Sequence, residues 1–326
     1  MHSSTPNVAA ANDCPRCRTE SYLTLFQGSD RLYRTTERKF NVVECSRCGM
    51  IRIDPMPPPE ELTAFYPQSY WWETDKSATG RLADLYRQFV ISDHVRFVVK
   101  ALHEAGPEPV LDLGCGGGSF LQALRKRGAA VVGADFSQRA AEICWSRLGI
   151  PAACATLPFP PFRDGSFSVV TLFHVLEHLP DPMAALESVW YLLAPGGRLV
   201  VQVPNAACWQ LLILGERWSG LDVPRHLINF RVEDIEELLE SCGFEVLRRK
   251  FFSLRDNPAG LATSLCPGLE PVSRKVRGVK ESSAGALLKN LLYLGLTTAA
   301  VPLTLLEAAG SAGSTIMIEA RRRGEA

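Results

Sequence analysis

The sequence predicts an α/β fold built on an open, mostly parallel sheet, and three features support this prediction. The chain has 326 residues, of which 46% are hydrophobic and 21% charged, so it can bury a large core. Residues 110–127 have the pattern of a buried strand, a glycine-rich turn and a helix. Residues 129–135 form a second apolar run that ends in Asp135. Strands that alternate with helices are typical of a parallel sheet covered by helices.

The charge balance argues against one class of partner. The 35 basic residues equal the 35 acidic residues, so no excess positive charge favours general binding to nucleic acid. We therefore expect no nucleic-acid partner. The first residues show no basic segment followed by an apolar core, as a secretory signal would, and we expect a cytoplasmic protein.

Two C-x-x-C pairs predict a metal site near the N-terminus. The pairs are Cys14 with Cys17 and Cys45 with Cys48. The interval between them contains Tyr22–Phe26 and Phe40–Val43, two apolar runs suited to strands. Two such turns, brought together by a hairpin, form a closed tetrahedral site for a structural Zn²⁺ ion. The pattern therefore predicts a zinc ribbon, with a ribbon that has lost its metal as the alternative.

Composition divides the chain into five predicted segments. The prolines of Asp54–Leu62 favour a stiff connector, because proline disrupts helices and central strands. Tyr66 and Tyr70 lie in an aromatic stretch that either forms core between domains or covers a ligand as a lid. The expected segments are a zinc ribbon with its connector (1–59), an aromatic and helical lid (60–105), the main core (106–253), a helical insertion (254–313), and a final strand with a tail (314–326).

The glycine-rich turn predicts a ligand with a nucleotide-like part. Glycine lets the backbone approach a ligand closely, and the helix that follows offers free N–H groups. A dinucleotide fingerprint would need glycine where Ser119 or Leu121 stands, which weakens a nicotinamide interpretation. Asp135, at the end of the next strand, can accept hydrogen bonds from two ribose hydroxyls.

The order of these motifs resembles that of class I S-adenosylmethionine-dependent methyltransferases. The resemblance covers roughly residues 110–244 and the last strand. It implies a Rossmann-like, doubly wound sheet of seven strands, mostly parallel, with the last strand antiparallel. It also implies S-adenosylmethionine as the cofactor and a set of contacts: Asp112, Gly114, Gly116 and Gly118 around its methionine part, Asp135 at the ribose, and Phe136 beside the adenine.

Ionisable side chains after the fourth core strand are candidates for proton transfer. His174, Glu177 and His178 fall within five residues. A histidine can remove a proton from the acceptor near neutral pH. We predict His178 as the base and His174 as a further candidate. The alternative is that His174 packs on the cofactor while Glu177 and His178 orient the loop.

A second polar stretch lies between the fifth strand and the helix expected at Val232–Ser241. Here His226 could share the proton transfer and Arg225 could clamp an anionic group of the acceptor. Alternatively, Asp222 and Arg225 form an ion pair on the surface and Asn229 caps the following helix.

The acceptor is expected to be a small molecule. The ribbon joined to this core resembles methyltransferases of sugar and polysaccharide pathways, which favours an oxygen or carbon of a sugar or glycan precursor. The stretch around His178 is similar to that of ubiquinone-pathway O-methyltransferases, some of which hold a divalent ion there; His174 at the first of those positions argues against a catalytic metal. A quinone- or lipid-type O-methyltransferase and a non-catalytic cofactor-binding protein are the alternatives.

The insertion before the last strand contains an apolar run without a charge. This run, Asn290–Leu306, has 17 residues, fewer than the roughly 20 that a membrane-spanning helix needs. Basic residues precede it, as in helices that lie on anionic lipid. We expect a helical cap over the site, with peripheral membrane contact through residues 254–313 as the alternative. The sequence predicts no oligomeric state.

Overall fold

The computed structural model describes residues 13–66 and 78–324, with side chains described for 13–66 and 90–324. Tyr70, one of the two predicted lid tyrosines, lies outside the described residues. Two sheets organise this part of the chain. The smaller sheet contains β1 (Tyr22–Ser29), β2 (Lys39–Cys45), β3 (Ile51–Asp54) and β9 (Ile228–Asn229), all antiparallel to their neighbours.

The larger sheet has seven strands in the order β10-β11-β8-β7-β4-β5-β6. These strands are β4 (Val110–Leu113), β5 (Val131–Asp135), β6 (Ala152–Cys154), β7 (Phe167–Phe173), β8 (Leu193–Pro204), β10 (Phe244–Lys250) and β11 (Thr315–Arg322). Strand β11 runs antiparallel to β8 and β10, and the other paired neighbours are parallel. The predicted seven-stranded, mostly parallel sheet with an antiparallel last strand is confirmed.

Ten α-helices connect the strands within the described residues. They are α1 (Pro59–Leu62), α2 (Ala78–Leu102), α3 (Ser119–Arg125), α4 (Gln138–Leu148), α5 (Pro182–Leu192), α6 (Trp209–Leu214), α7 (Val232–Ser241), α8 (Asp256–Leu265), α9 (Pro271–Val276) and α10 (Ser283–Ala309). Local sequence sets several of their ends. Ser137 caps the start of α4 by accepting from Ala140 N–H, and Asp181 caps α5 in the same way.

The ribbon shares its hydrophobic core with the large sheet. Phe40 and Ile53 of the ribbon are fully buried in one cluster with Leu172 and Val201 of the central strands. Because this cluster is continuous, removing the ribbon side chains would expose apolar surface of the main core. The boundaries of the five segments stay a prediction.

A strand from the polar loop after β8 joins the ribbon sheet. In β9, Ile228 pairs with Arg52 of β3, and the N–H of Ile53 donates to the carbonyl of Leu227 over 3.0 Å. Asn229 therefore lies in a buried strand and not at a helix end. The alternative in which Asn229 caps the next helix is wrong, because Arg231 occupies the N-cap position of α7.

The insertion consists of α8, α9 and α10, with α10 packed along α8. Helix α8 in turn contacts the short 3-10 turn Ser219–Leu221, where Ser219 N–H donates to Ser264 Oγ over 2.8 Å. Strand β10, which precedes the insertion, is parallel to β8 because both are antiparallel to β11. The start of α8 therefore lies at the same sheet edge as the glycine turn.

Candidate active site and cysteine cluster

The glycine turn follows β4 at the carboxyl edge of the parallel strands. Gly114, Gly116 and Gly118 all have positive φ, of 80°, 51° and 77°. Such backbone angles favour glycine. A Cβ on Gly118 would lie 2.6 Å from Cys144 Sγ, so this residue packs against α4. A Cβ on Gly116 would meet nothing within 4 Å, so the turn is open on that side and can receive a ligand.

Asp135 connects the end of β5 to this turn. Its carboxylate accepts from Gly116 N–H and from Ser137 N–H, each over 2.9 Å. These two bonds fix the orientation of the carboxylate and of the turn. A carboxylate has about four lone-pair sites, so Asp135 keeps the capacity to accept from two ribose hydroxyls. The residues present therefore fit the nucleoside part of S-adenosylmethionine.

Near the turn, Asp112 is buried whereas Phe136 is exposed. Asp112 is buried in β4, where Thr171 Oγ1 donates to it over 2.6 Å, and burial raises the pKa of its carboxyl to about 7. Phe136 is 45% exposed, and its ring centroid lies 5.6 Å from that of Tyr66. Phe136 thus presents an accessible aromatic surface, which suits contact with a planar base.

His178 is held so that only one ring nitrogen is available. Its Nδ1 lies 2.9 Å from the carbonyl oxygen of Arg225 and 2.9 Å from Tyr66 Oη. A carbonyl can only accept, so Nδ1 carries the proton and Nε2 carries the lone pair. Desolvation, and then the neighbouring His226, lower the pKa of His178 to about 4. At neutral pH this imidazole is uncharged, with its lone pair on Nε2.

His226 and Glu177 complete a cluster around His178. The ring centroids of the two histidines are 4.7 Å apart, and His226 Nδ1 lies 2.7 Å from the carbonyl oxygen of Gly220. Glu177 is buried, and its Oε2 has no hydrogen-bond partner in the described part of the chain. The three side chains offer ligand atoms that all lie within 4.8 Å of one another. This arrangement can stabilise a proton on a histidine, and two imidazoles with a carboxylate are also a donor set that divalent metals accept.

His174 lies between two carboxylates and differs in charge from His178. Its Nδ1 is 3.1 Å from Glu177 Oε1, and its Nε2 is 3.4 Å from Asp256 Oδ2. Burial disfavours the charged ring, but Asp256 and Glu177 outweigh it and raise the pKa of His174 to about 9. His174 is therefore protonated at neutral pH and cannot accept a proton, which contradicts the prediction of a catalytic base at this position.

Asp256, the partner of His174, was not among the candidates predicted from the sequence. This residue starts α8 after a short connection from the end of β10, at the same edge as the other strand ends. Acids that follow a parallel strand lie at the carboxyl edge of the sheet, and that rule would have included Asp256 among the candidates.

Arg225 is committed to structural contacts. Its guanidinium contacts both oxygens of Asp30 at 3.1 and 2.9 Å, both oxygens of Asp222 at 2.9 and 2.6 Å, and the carbonyl of Phe65 at 3.3 Å. A guanidinium has five N–H donors, and these contacts use all of them. The prediction that Arg225 clamps the acceptor is therefore wrong. The expected Asp222–Arg225 pair is present, but it is buried and includes the ribbon residue Asp30.

The four cysteines of the ribbon come together as predicted. Cys14 Sγ lies 3.5 Å from Cys48 Sγ, Cys17 Sγ lies 3.4 Å from Cys45 Sγ, and all four sulfurs are within 4.8 Å of one another. Each C-x-x-C turn is followed by a residue with positive φ, Arg18 or Gly49. Thiolates at about 2.3 Å from a tetrahedral Zn²⁺ ion are separated by similar sulfur–sulfur distances, so the cluster fits zinc.

Two comparisons with known proteins bear on the family of this chain. A family described as a methyltransferase domain matches residues 84–249. The ubiquinone biosynthesis O-methyltransferase of Idiomarina loihiensis is 30% identical over 200 residues, which cover 57% of this chain and 80% of that protein. The protein of the same name from Methylococcus capsulatus is 31% identical over 169 residues, covering 49% of this chain and 68% of that protein.

Among solved structures, a SAM-dependent methyltransferase from Archaeoglobus fulgidus aligns with a TM-score of 0.48 and 17% identity, covering 75% of this chain and 100% of that chain. The family match covers half of the sequence and includes the glycine turn, Asp135 and the histidine cluster. The chain therefore belongs to the methyltransferase-domain family and is a class I S-adenosylmethionine-dependent methyltransferase, as the order of its motifs predicted.

Proposed function

We propose that this enzyme methylates a hydroxyl oxygen of a small quinone-type or lipid-type acceptor, with His178 as the general base. The observation that carries the proposal is the uncharged His178, whose Nδ1 is held by the Arg225 carbonyl and whose Nε2 is left to accept a proton. The ring centroid of Tyr66 lies 6.0 Å from that of His178 and 5.6 Å from that of Phe136. This base therefore lies near Phe136, the residue expected beside the adenine of the cofactor.

S-adenosylmethionine supplies a methyl group carried on a positively charged sulfur. The residues that would hold it are Gly116 and the neighbouring backbone of the turn, Asp135 at the ribose hydroxyls, and Phe136 at the base. Asp112 and Thr171 fix the end of β4 beneath the turn. These groups position the donor, and in-line alignment of donor and acceptor accounts for much of the rate of such transfers.

His178 would take the acceptor's hydroxyl proton at Nε2. The imidazolium that forms is stabilised by the buried carboxylate of Glu177, which lies in the same cluster. Glu177 is itself oriented by protonated His174, which Asp256 holds from the other side. Glu177, His174 and Asp256 are thus proposed as positioning residues. His226, whose ring centroid lies 4.7 Å from that of His178, is proposed to share the proton transfer.

Two considerations favour a hydroxyl on an aromatic ring over a hydroxyl on a sugar. The relatives described above are named for ubiquinone biosynthesis and O-methylation, which supports the quinone-type alternative more than a sugar or glycan precursor. A hydroxyl on an aromatic ring has a pKa near 10, as in tyrosine, so a neutral imidazole can remove its proton more readily than that of an aliphatic alcohol.

The test is acceptor identification with purified enzyme and a deuterated methyl donor. Catechols, hydroxyquinols and sugar nucleotides are incubated separately, and the products are examined by mass spectrometry. We expect the methyl mass increase on an oxygen of the ring acceptors. Labelling of sugar nucleotides alone would contradict the proposal. The variant Asp135→Ala serves as the control for cofactor-dependent labelling.

We also infer that the cysteine cluster of the ribbon holds a structural zinc ion and that the enzyme works in the cytoplasm. The thiolate donor set and the sulfur spacing support the zinc. The ten cysteines, all of which lie among the described residues, form no disulfide, which suits a reducing compartment.

A further inference from the structure

Helix α10 buries three polar residues in its second half. The face packed against the protein includes Thr297, Thr304 and Glu307, each buried. Glu307 accepts from the backbone and side-chain nitrogens of Gln210, and Thr304 Oγ1 donates to the carbonyl of Ala300. Surface helices of soluble domains usually bury the apolar face and expose the polar one. In α10 this order is reversed.

The outer face of α10 is formed mainly by leucines. Those that are about half exposed, at 47–63%, are Leu287, Leu288, Leu291, Leu292, Leu294, Leu303, Leu305 and Leu306. Isolated exposed leucines are ordinary, but a continuous row of this size is typical of a surface that contacts something apolar.

The tip of α6 extends this apolar surface. Leu212 and Ile213 are 84% and 75% exposed. Helix α6 lies beside the carboxyl end of α10, because Gln210 bonds to Glu307 and a Cβ on Gly310 would be 3.4 Å from Trp209. We call the outer leucines of α10, together with Leu212 and Ile213, the leucine face.

A short basic segment precedes the leucine face. Residues 274–289 contain five basic residues and one acidic residue, Glu281, which forms ion pairs with the buried Arg274 and with Lys289. Lys275 and Lys280 are exposed, and the run 290–306 carries no charge. An apolar helix face next to a basic segment has the chemistry of a site for anionic lipid headgroups over an acyl layer.

We propose that the leucine face lies flat on a membrane that contains anionic lipid. By length and composition α10 is the one helix in the described ranges that could cross a membrane, with 27 residues and a mean hydropathy of 1.5. Its inner face, however, is joined to α6 and α8, and β11 follows it as an interior strand of the large sheet, between β10 and β8. These contacts favour a helix that lies in the plane of the interface. Binding of this kind does not depend on which acceptor is methylated.

The test is cosedimentation of the full chain with vesicles in the absence of detergent. Phosphatidylcholine vesicles are compared with vesicles that contain phosphatidylglycerol. We expect binding to the anionic vesicles, with weaker binding to phosphatidylcholine alone. Replacing Leu291 and Leu292 together by glutamine should lower the partition coefficient of the chain into anionic vesicles by about tenfold or more. Each change removes apolar area that would be buried in the membrane.

Two further variants separate the contributions. Lys275→Glu with Lys280→Glu should reduce the preference for phosphatidylglycerol and leave the weaker binding to phosphatidylcholine in place. Leu23→Gln with Leu25→Gln, on exposed leucines of the ribbon strand β1, is the matched control and should bind as the original chain does.

Three outcomes would overturn the proposal. The first is that the chain does not cosediment with anionic vesicles. The second is that it binds them equally well when Leu291 and Leu292 are replaced. The third is that it does not bind vesicles and instead forms a dimer without lipid in analytical ultracentrifugation, which the same replacements dissociate. The last result would assign the leucine face to a second copy of the chain. Circular dichroism of each variant establishes that it is folded.

Discussion

Two segments are added to the seven-stranded sheet, and they differ in the side chains that they bury. The ribbon is joined to the core by an apolar cluster, by the pairing of β3 with β9, and by the buried Asp30–Arg225–Asp222 network. Helix α10 of the insertion buries polar residues such as Glu307 and leaves most of its leucines exposed. The ribbon is therefore part of the folded unit around the site, whereas α10 of the insertion provides most of the exposed leucine face.

Loss of the ribbon metal should have the largest effect. Replacing Cys14 and Cys45 together by serine removes half of the proposed zinc ligands, and structural zinc contributes about 10–16 kcal/mol of binding free energy in small zinc modules. Because the ribbon shares its core with the sheet, the whole chain should lose cooperative thermal unfolding. Metal analysis should find one zinc ion per original chain. Cys154→Ser, at an exposed cysteine, is the control. An original chain that is purified without zinc, or a double variant that still unfolds cooperatively at the original chain's temperature, would contradict the expectation.

The next largest effect should come from Arg225. Arg225→Met leaves Asp30 and Asp222 buried without their partner, and breaking a buried ion pair on one side costs about 3–5 kcal/mol of unfolding free energy. Arg231→Met is the matched control, because its ion pair with Glu44 also joins the core to the ribbon but is partly exposed, and about 1 kcal/mol or less is expected. Urea unfolding measures both. Equal losses would show that the ribbon junction does not depend on the buried network.

His174→Gln should give a smaller effect that depends on pH. The folded-state pKa of His174 is raised to about 9, against an ordinary value of about 6.5, so its ion pairs stabilise the folded chain fully below about pH 6.5. That contribution is lost as the pH rises through about 9. The difference in unfolding temperature between the original chain and the variant should therefore be larger at pH 6 than at pH 9.5. A difference that stays constant across this range would rule out the charged ring.

Changes on the leucine face should have the smallest effect on stability. Leu291→Gln alters a half-exposed side chain, so the free energy of unfolding without lipid should change by no more than about 0.5 kcal/mol. Ala300→Gln, on the inner face of the same helix, forces a larger side chain into a buried site and should cost about 1–3 kcal/mol. Thermal unfolding compares the two variants. A larger loss from Leu291→Gln would mean that the outer face is covered within the protein.

Local sequence was sufficient to predict much of this molecule. The strand, glycine turn and helix at 110–127 and the two C-x-x-C turns each specify their structure within a few residues. The acid at position 135 was predicted to face the cofactor, and the structure places it against Gly116. Such features depend on spacing, which a sequence displays directly.

The features that local sequence could not predict depend on contacts between residues that are distant in sequence. Asp30 meets Arg225 across 195 positions, and Glu307 meets Gln210 across 97. No local pattern connects these residues. The different protonation of His174 and His178, four positions apart, likewise follows from Asp256 beside the first ring and from desolvation of the second. The sequence makes both histidines candidates, with His178 preferred, but it does not show that their charges differ.

The most direct test of the proposed reaction is the pair of measurements on His178→Ala: methyl transfer to the identified ring acceptor and calorimetric affinity for S-adenosylmethionine. We expect kcat to fall by about 10²–10⁴, as for loss of a general base, while the Kd for the cofactor changes by less than about twofold. Transfer at the original rate by a folded His178→Ala enzyme with unchanged cofactor affinity would contradict it.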